Sequence, residues 1–257
     1  MQILILHHNF PGQFIGIGKW LAENNNEITF ICDTNFQGWR TSGIKVITNE
    51  KKNEDKVNNG DKNEQTECAY RFKETMKKIK KRGYAPNIVI SHSGWGCGLY
   101  AKSIFKESKL ITYSEWWFKL NSKEYKYHNT QYISYSEGAI EKLYLRNLTM
   151  AAELSEADEI VSPTSWQRNQ LPKRLKERTH VIHEGVDTDF YRLNLKWKTV
   201  DKFTITYATR GMEPMRGFPE MILAMKKILA KYAHVELLIA GEDKICYGGN
   251  NLENASY

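Results

Sequence analysis

Short apolar runs that alternate with helical patterns are the feature that most restricts how this chain can fold. The first run is 2–6 (QILIL), and similar runs lie at 27–32 and 87–91. A continuous apolar run of this length is typical of a strand that is buried on both faces, as in a parallel sheet. Because a helical pattern at 14–23 separates the first two runs, the chain opens as β-α-β, the unit of doubly wound α/β folds.

The remaining patterns predict two domains. Further strands are expected at 44–47, 110–113, 159–162 and 180–183, and further helices at 69–82, 98–108 and 137–157. The segment 190–202 has no regular period, and a new β-α-β pattern follows at 203–208, 217–232 and 236–240. We therefore expect an α/β protein with a Rossmann-like parallel-sheet domain at 1–190, a linker at 191–202 and the beginning of a second Rossmann-like domain at 203–257.

Composition bears on the partners of the chain. Its 257 residues are 41% hydrophobic, which is enough for a sizeable core. The 37 Lys and Arg against 30 Asp and Glu give a net charge of +7, and part of the excess lies at 77–82 (KKIKKR). This run is either a solvated helix face or a surface that steers the protein to anionic lipid or a polyanionic substrate. Without zinc-finger spacing or an RNA-binding aromatic motif, we expect no nucleic-acid partner.

Cysteine usage and the N-terminal residues predict a cytoplasmic protein, with peripheral contact at the inner face of a membrane as the alternative. Cys32, Cys68, Cys97 and Cys246 form no CxxC pair and are expected to be reduced. The start, MQILILHHNF, lacks the basic and long apolar regions of a signal peptide, and no apolar run is long enough to span a bilayer. The histidines show no metal-ligand spacing, so we expect neither a metal site nor a cofactor.

The turn at 208–218 (ATRGMEPMRGF) has the composition of an anion site. It joins a predicted strand to a predicted helix, and ligands of open α/β sheets bind beyond the carboxyl ends of the strands. Arg210 and Arg216 could clamp a diphosphate from two sides, because a guanidinium group matches phosphate oxygens. Gly211 lets the backbone approach a ligand closely. The alternative is that both arginines are solvated loop residues.

Three other turns at strand ends contain candidate residues. Gly12 could expose backbone N–H groups to an anion or a sugar hydroxyl, with Gln13 beside it, or simply form a tight turn. In HSGWG at 92–96, Trp95 could stack on a sugar and His92 could bind a hydroxyl or move a proton, although a lone histidine is as often structural. Glu184 could hold a substrate hydroxyl or fix the linker. The aromatic residues at 116–127 are either packing groups or an acceptor platform.

Several of these stretches occur together in an order that resembles the family-4 retaining glycosyltransferases of the GT-B fold. They are 3–14 (ILILHHNFPGQF), 92–96 (HSGWG), 183–191 (HEGVDTDFY), 207–218 (YATRGMEPMRGF) and 237–248 (LLIAGEDKICYG). The resemblance implies an N-terminal domain that binds the acceptor and a C-terminal domain that binds a nucleotide-diphosphate sugar. It implies that Arg210 and Arg216 grip the donor diphosphate, although a lysine is usual at the second position. It also implies that Gly12 approaches the donor and that His92 lies near the transferred sugar.

The resemblance implies transfer of a sugar, with retention, to a glycan or lipid-linked acceptor in cell-envelope polysaccharide synthesis. The E-x7-E motif of the family normally lies beyond residue 257, and the only matching spacing, Glu107 and Glu115, is interpreted as coincidence. We therefore expect a fragment with little turnover by itself. The alternatives are a noncatalytic acceptor- or partner-binding module, half of a split enzyme with a complementary chain, and a nucleotide-sugar epimerase.

Overall fold

The computed structural model describes residues 1–35, 40–50, 64–119, 137–192, 202–244 and 246. Residues 193–201, which are most of the predicted linker, fall outside the described residues. So do Tyr125 and Tyr127 of the aromatic stretch, residue 245, and residues 247–257. The chain forms two compact units. Unit 1 contains Met1–Lys119 and Lys142–Gly185, and unit 2 contains the described residues of Leu120–Glu141 and Val186–Tyr257.

Unit 1 is built on a seven-stranded parallel sheet. The strands along this part of the chain are β1 (Gln2–Leu6), β2 (Asn9–Phe10), β3 (Glu27–Cys32), β4 (Thr34–Asn35), β5 (Ile44–Thr48), β6 (Ile88–His92), β7 (Lys109–Tyr113), β8 (Glu159–Ser162) and β9 (Thr179–Val181). The large sheet has the order β5-β3-β1-β6-β7-β8-β9, and β2 pairs with β4 in a separate two-stranded ribbon. The prediction of an α/β, Rossmann-like parallel sheet is confirmed.

The helices of this region lie between the strands. They are α1 (Ile15–Glu23), α2 (Glu64–Lys81), α3 (Ala101–Ile104), α4 (Glu137–Leu145), α5 (Asn147–Glu156), α6 (Ser165–Arg168) and α7 (Lys173–Glu177), with a 3-10 turn at Ser93–Trp95. The helix predicted at 98–108 is only one turn long, and the one predicted at 137–157 is interrupted at Arg146. Two glycines precede the one-turn helix. Gly96 has a φ of 72°, and a Cβ at Gly98 would lie 2.4 Å from Ser91 Oγ.

Two apolar layers cover the two faces of the sheet, which explains the continuous apolar run in β1. Leu4 and Leu6 belong to one layer, where they join Phe72 and Met76 of α2 and residues of α5. Ile3 and Ile5 belong to the opposite layer, with Phe14 and Phe30 among its members. Because successive strand residues point to opposite faces, a strand that is covered on both sides needs apolar residues at every position.

Unit 2 has, among its described residues, a single β-α-β element. Strands β10 (Phe203–Ala208) and β11 (Val235–Ala240) are parallel neighbours, and α8 (Phe218–Lys231) connects them after a 3-10 turn at Pro214–Arg216. A search of the described residues for a helix long and apolar enough to cross a membrane found none.

Candidate functional site

Three neighbouring strands of unit 1 bring polar side chains together at their carboxyl ends. β6 lies between β1 and β7, with Leu6 opposite Ser91 and His92 opposite Tyr113. His7 follows β1 directly, His92 ends β6, and Glu115 comes two residues after β7. Because parallel strands all end at the same edge of the sheet, these residues become neighbours although they are far apart in the sequence.

A chain of hydrogen bonds connects these side chains. Nε2 of His7 lies 2.5 Å from Oε1 of Gln13, Nε2 of Gln13 donates to Oε2 of Glu115 at 3.2 Å, and Nε2 of His92 lies 3.0 Å from the same oxygen. The backbone N–H of Asn9 donates to Nδ1 of His7 at 2.9 Å, and that of Gly94 to Nδ1 of His92 at 3.1 Å. We call this group the Glu115 cluster.

The backbone contacts assign the tautomers of both histidines. A ring nitrogen that accepts a hydrogen bond carries no proton, so the neutral rings carry theirs on Nε2. His7 then donates to the amide oxygen of Gln13, and His92 donates to the carboxylate of Glu115. The carbonyl oxygen of Asn9 also lies 2.8 Å from Nδ1 of His7, but the short Nε2–Gln13 contact requires the proton at Nε2.

Burial and local charge hold the cluster in this protonation state. Burial, with a smaller contribution from the nearby His92, lowers the pKa of His7 to about 4, so His7 is neutral at physiological pH. The hydrogen bond from His92 lowers the pKa of Glu115 against the opposing effect of burial. The cluster therefore presents one carboxylate that the amide of Gln13 and the imidazole of His92 hold in place.

Glu115, whose spacing from Glu107 was interpreted as coincidence, is a partly exposed member of the cluster. Its side chain is 43% exposed, whereas that of His92 is 4% exposed. Both ring nitrogens of His92 are engaged by protein groups, so His92 acts here as a donor that positions Glu115. Only the position of Glu115 just beyond a predicted strand could have drawn attention to it. The predicted catalytic role of His92 stays a prediction.

Tyr113 connects the cluster to the predicted residue Glu184. The ring of Tyr113 contacts Phe14, with 5.7 Å between centroids, and His92, with 5.5 Å between centroids. Its hydroxyl donates a short hydrogen bond to Oε1 of Glu184. Burial, together with this carboxylate, raises the pKa of Tyr113. Glu184 is thus held against β7, and its predicted contact with a substrate hydroxyl stays a prediction.

The predicted residue Gly12 lies against the ring of His7. It has a φ of 52°, in the left-handed region that glycine tolerates best. A Cβ at this position would lie 2.6 Å from Nδ1 of His7 and 2.7 Å from the carbonyl oxygen of Asn9. A glycine is therefore needed for the turn to close over His7. The predicted approach of Gly12 to the nucleotide-sugar donor stays a prediction. Gln13, next in the chain, is exposed and belongs to the Glu115 cluster.

Trp95 packs on a neighbouring histidine. Its ring is nearly parallel to that of His8, with an interplanar angle of 17° and 4.5 Å between centroids. One face of Trp95 is therefore covered by protein, so a sugar could stack only on the other face. The predicted stacking stays a prediction. Trp95 is partly buried and contacts the core layer that contains α2.

The predicted anion site lies in unit 2, in the turn between β10 and α8. Arg210 and Arg216 are both exposed and follow the carboxyl end of β10. Nε of Arg216 lies 3.4 Å from Oε1 of Glu213, whose side chain is fully buried. A Cβ at Gly211 would lie 2.5 Å from the carbonyl oxygen of Lys244. Gly211 thus permits two backbone segments to approach each other, and the binding of a diphosphate here stays a prediction.

A cavity of about 570 Å³ lies elsewhere in unit 1. Its lining includes Gln2, Lys45, Thr75 and Tyr84, and none of the predicted site residues lines it. Its lining extends from Gln2, at the amino end of β1, to Thr48 and Glu50, at the carboxyl end of the outermost strand β5, and it lies beside α2 rather than beside the Glu115 cluster. Because ligands of open α/β sheets bind at the carboxyl ends, we place the candidate site at the Glu115 cluster.

A comparison of the sequence with family profiles returned one match. Residues 24–191, which are more than half of the chain, match the profile of the family described as the glycosyl transferase family 4 group. A search of curated protein sequences found no match.

Solved structures share the fold at low sequence identity. The catalytic domain of starch synthase IV from Arabidopsis thaliana, solved with ADP and acarbose, has a TM-score of 0.63 at 12% identity, covering 95% of this chain and 69% of that one. An Escherichia coli structure described as trehalose-6-phosphate bound with UDP-2-fluoro glucose has a TM-score of 0.59 at 11% identity, with coverage of 95% and 65%. MnaA of S. aureus with UDP has a TM-score of 0.52 at 10% identity, with coverage of 95% and 63%. The chain thus spans less than two thirds of the latter two proteins.

Proposed function

Because the chain belongs to the glycosyl transferase family 4 group, we propose that it transfers a sugar from a nucleotide-diphosphate sugar to a hydroxyl group, with retention of configuration. The observation that carries this proposal is the Glu115 cluster. It presents a fixed, partly exposed carboxylate at the carboxyl ends of three adjacent parallel strands, where folds of this kind bind ligands.

In this proposal the Glu115 cluster binds a hydroxyl group of the carbohydrate. A carboxylate accepts hydrogen bonds strongly, and one oxygen of Glu115 already receives donors from Gln13 and His92. The other oxygen is the natural acceptor for a substrate hydroxyl. Since its two donors fix the carboxylate before substrate arrives, little conformational freedom is lost on binding.

In the same proposal Arg210 and Arg216 bind the diphosphate of the donor. Their exposed guanidinium groups follow the carboxyl end of β10. As the bond to the sugar breaks, negative charge accumulates on the departing phosphate, and fixed cations stabilise that charge. The arginines supply the positive charge at this step, so we propose that it requires no metal ion.

The proposed acceptor is a glycan or a lipid-linked sugar of cell-envelope polysaccharide. The exposed cations near the end of α2, among them Lys77, Lys81 and Arg82, support a peripheral contact with anionic lipid. Several structural neighbours were solved with nucleotides or nucleotide sugars, which supports the class of donor.

Calorimetry with UDP-, ADP- and GDP-sugars tests the donor site. We expect one nucleotide sugar to bind, and Arg210→Ala to weaken its binding by about tenfold or more, since a hydrogen bond to a charged group contributes about 1.5–3 kcal/mol. Lys226→Ala, which removes an exposed cation from α8, is the matched control and should bind as the wild type does. Equal binding by the wild type and Arg210→Ala would remove Arg210 from the site.

Product analysis with the bound donor tests the reaction. We expect Glu115→Gln to lose about tenfold or more in transfer, because the amide can still accept from Gln13 and His92 but carries no charge. Glu107→Gln, an exposed carboxylate eight residues earlier, is the control. Donor binding with no glycoside formed, by a wild type given a panel of acceptors, would favour the binding module instead.

A nucleotide-sugar epimerase is the second candidate, because structures of that class share the fold. A UDP-N-acetylglucosamine 2-epimerase has a TM-score of 0.52 at 12% identity, with coverage of 92% of this chain and 62% of that one. The same product analysis separates the two reactions. Transfer yields a new glycoside and free nucleotide diphosphate, whereas epimerisation yields an altered sugar without an acceptor. An NMR spectrum of the new linkage reports whether configuration is retained.

A further inference from the structure

A second group of side chains, outside the Glu115 cluster, combines three types of metal ligand. His8 follows β1, Asp33 follows β3, and Cys68 lies in the second turn of α2. Nδ1 of His8 lies 3.3 Å from Oδ2 of Asp33 and 3.9 Å from Sγ of Cys68. All three ligand atoms lie within 4.8 Å of one another.

We propose that His8, Asp33 and Cys68 bind a zinc ion. Tetrahedral zinc, with bonds of about 2.0–2.1 Å to nitrogen and oxygen and about 2.3 Å to sulfur, separates a nitrogen from an oxygen by about 3.3 Å and from a sulfur by about 3.6 Å. The two measured separations, 3.3 Å and 3.9 Å, are close to these values. The third pair, the carboxylate oxygen of Asp33 and Sγ of Cys68, lies within 4.8 Å, and side-chain rotation would bring it to the separation of about 3.6 Å that tetrahedral zinc requires.

The donor set selects zinc among the common biological cations. Magnesium and calcium prefer oxygen ligands, whereas a thiolate with an imidazole and a carboxylate suits zinc. Cys68 binds as the thiolate after its proton has passed to solvent. Three protein ligands leave a fourth position for a water molecule, and His8, whose side chain is 21% exposed, lies on the solvent side of the group.

Surrounding groups already hold the carboxylate and the imidazole in position. Nδ2 of Asn49 donates to Oδ1 of Asp33 at 2.7 Å, and the hydroxyl of Thr75 donates to Oδ1 of Asn49 at 2.6 Å. The ring of Trp95 covers one face of His8. Such outer partners orient metal ligands, and their removal commonly weakens metal binding about 10- to 100-fold.

Arg71 and His8 share Oδ2 of Asp33, so the compatibility of Arg71 with a bound cation rests on the two lone pairs of that oxygen. The guanidinium group of Arg71 donates to Oδ2 of Asp33 at 2.6 Å and 3.1 Å. A carboxylate oxygen has two lone pairs, so the side that faces His8 remains for the metal. The charges also balance, since Zn²⁺ with the carboxylate of Asp33 and the thiolate of Cys68 is neutral, which limits repulsion with Arg71.

Titration of the full chain with Co²⁺, a spectroscopic substitute for zinc, tests this site. We expect the wild type to bind one Co²⁺ at micromolar concentration, with the visible bands of tetrahedral coordination and a near-ultraviolet thiolate charge-transfer band, and we expect Zn²⁺ to displace it. Cys68→Ser should lose the charge-transfer band and bind at least about 100-fold more weakly, beyond the effect of an outer partner. Cys246→Ser, which removes a thiol of unit 2, should keep the band.

Two results would overturn the assignment. The first is a reduced wild-type protein that shows no charge-transfer band, and this result does not depend on any variant folding. The second is a folded Cys68→Ser protein that retains the band, which would assign the thiolate to another cysteine, such as Cys97, whose Sγ lies 4.0 Å from that of Cys68. His8→Gln provides a second variant if Cys68→Ser does not fold, and it should also weaken binding. None of these measurements depends on sugar transfer, so the zinc site and the proposed function can fail separately.

Discussion

Glu153 is a fully buried carboxyl group whose burial makes the stability of the protein depend on pH. It lies on α5, and its side chain accepts a hydrogen bond from Oγ of Ser91 at 2.6 Å and another from the backbone N–H of Gly98 at 3.2 Å. Oγ of Ser91 also lies 3.2 Å from Oγ1 of Thr112. No cation takes part in these contacts, so the charged form of Glu153 lacks an ionic partner among them.

The sign and size of the effect follow from the pKa of this group. Burial raises the pKa of Glu153 from 4.5 to about 7, and the hydrogen bonds from Ser91 and Gly98 oppose only part of this increase. The folded state therefore holds a proton that the unfolded state releases above pH 4.5. Its contribution to stability is complete below pH 4.5 and is lost as the pH rises through 7. At about 1.4 kcal/mol for each pH unit, the loss is about 3 kcal/mol.

Glu153→Gln removes this titrating proton, because an amide does not ionise in this pH range. The amide can accept from Gly98 and donate to Ser91, so the local hydrogen bonds can be kept. Denaturant unfolding at pH 5, 6, 7 and 8, followed by tryptophan fluorescence of unit 1, measures both proteins. We expect the free energy of unfolding of Glu153→Gln, relative to the wild type, to increase by about 2.5 kcal/mol between pH 5 and pH 8, because part of the total change occurs below pH 5.

The comparison between the two proteins isolates Glu153, because every other titrating group is common to both. Glu156→Gln, an exposed carboxylate on the same helix, is the matched control and should leave the pH dependence unchanged. A difference between Glu153→Gln and the wild type that stays constant from pH 5 to pH 8 would refute the reasoning. It would mean that Glu153 remains ionised in its buried position.

Two further substitutions test the packing around the Glu115 cluster. Gly12→Ala should destabilise unit 1 by about 1–3 kcal/mol, through its positive φ and the contact of the new Cβ with His7; unchanged denaturant midpoints would contradict this. Tyr113→Phe should cost about 1 kcal/mol or less, since Glu184 is exposed and regains water when it loses the hydroxyl. A loss above about 3 kcal/mol would contradict this, because it would mean that the carboxylate of Glu184 is left without a hydrogen-bond partner or water.

The sequence predicted the fold well because the relevant signals are local. The apolar runs at β1, β3, β8 and β10 have the bounds that the structure shows. The helices were less well predicted where packing overrides the pattern. In the segment 98–108, Gly98 packs closely against Ser91 and Glu153 after the left-handed Gly96, and the helix begins only at Ala101.

The candidate site was only partly predictable, since its members meet through the order of the strands. His92 and Gln13 could be selected because each lies in a turn that has a recognisable composition. Glu115 lies in no such turn. Its spacing from Glu107 matches the E-x7-E motif, but that motif belongs to the other domain, so the match did not identify Glu115 as a site residue. What makes Glu115 important is that β7 pairs with β6, which places its carboxylate beside His92.

The proposed zinc ligands are a second group that the sequence pattern alone could not predict. A search for metal-ligand spacing succeeds when two ligands share one turn or one helix face, because short spacing then guarantees proximity. His8, Asp33 and Cys68 each lie in a different segment, and only the placement of β3 beside β1, with α2 packed against their layer, joins them. The absence of a spacing motif among the histidines therefore bears only on sites formed within a single segment. A site that the sheet assembles from three segments can be recognised only from the structure.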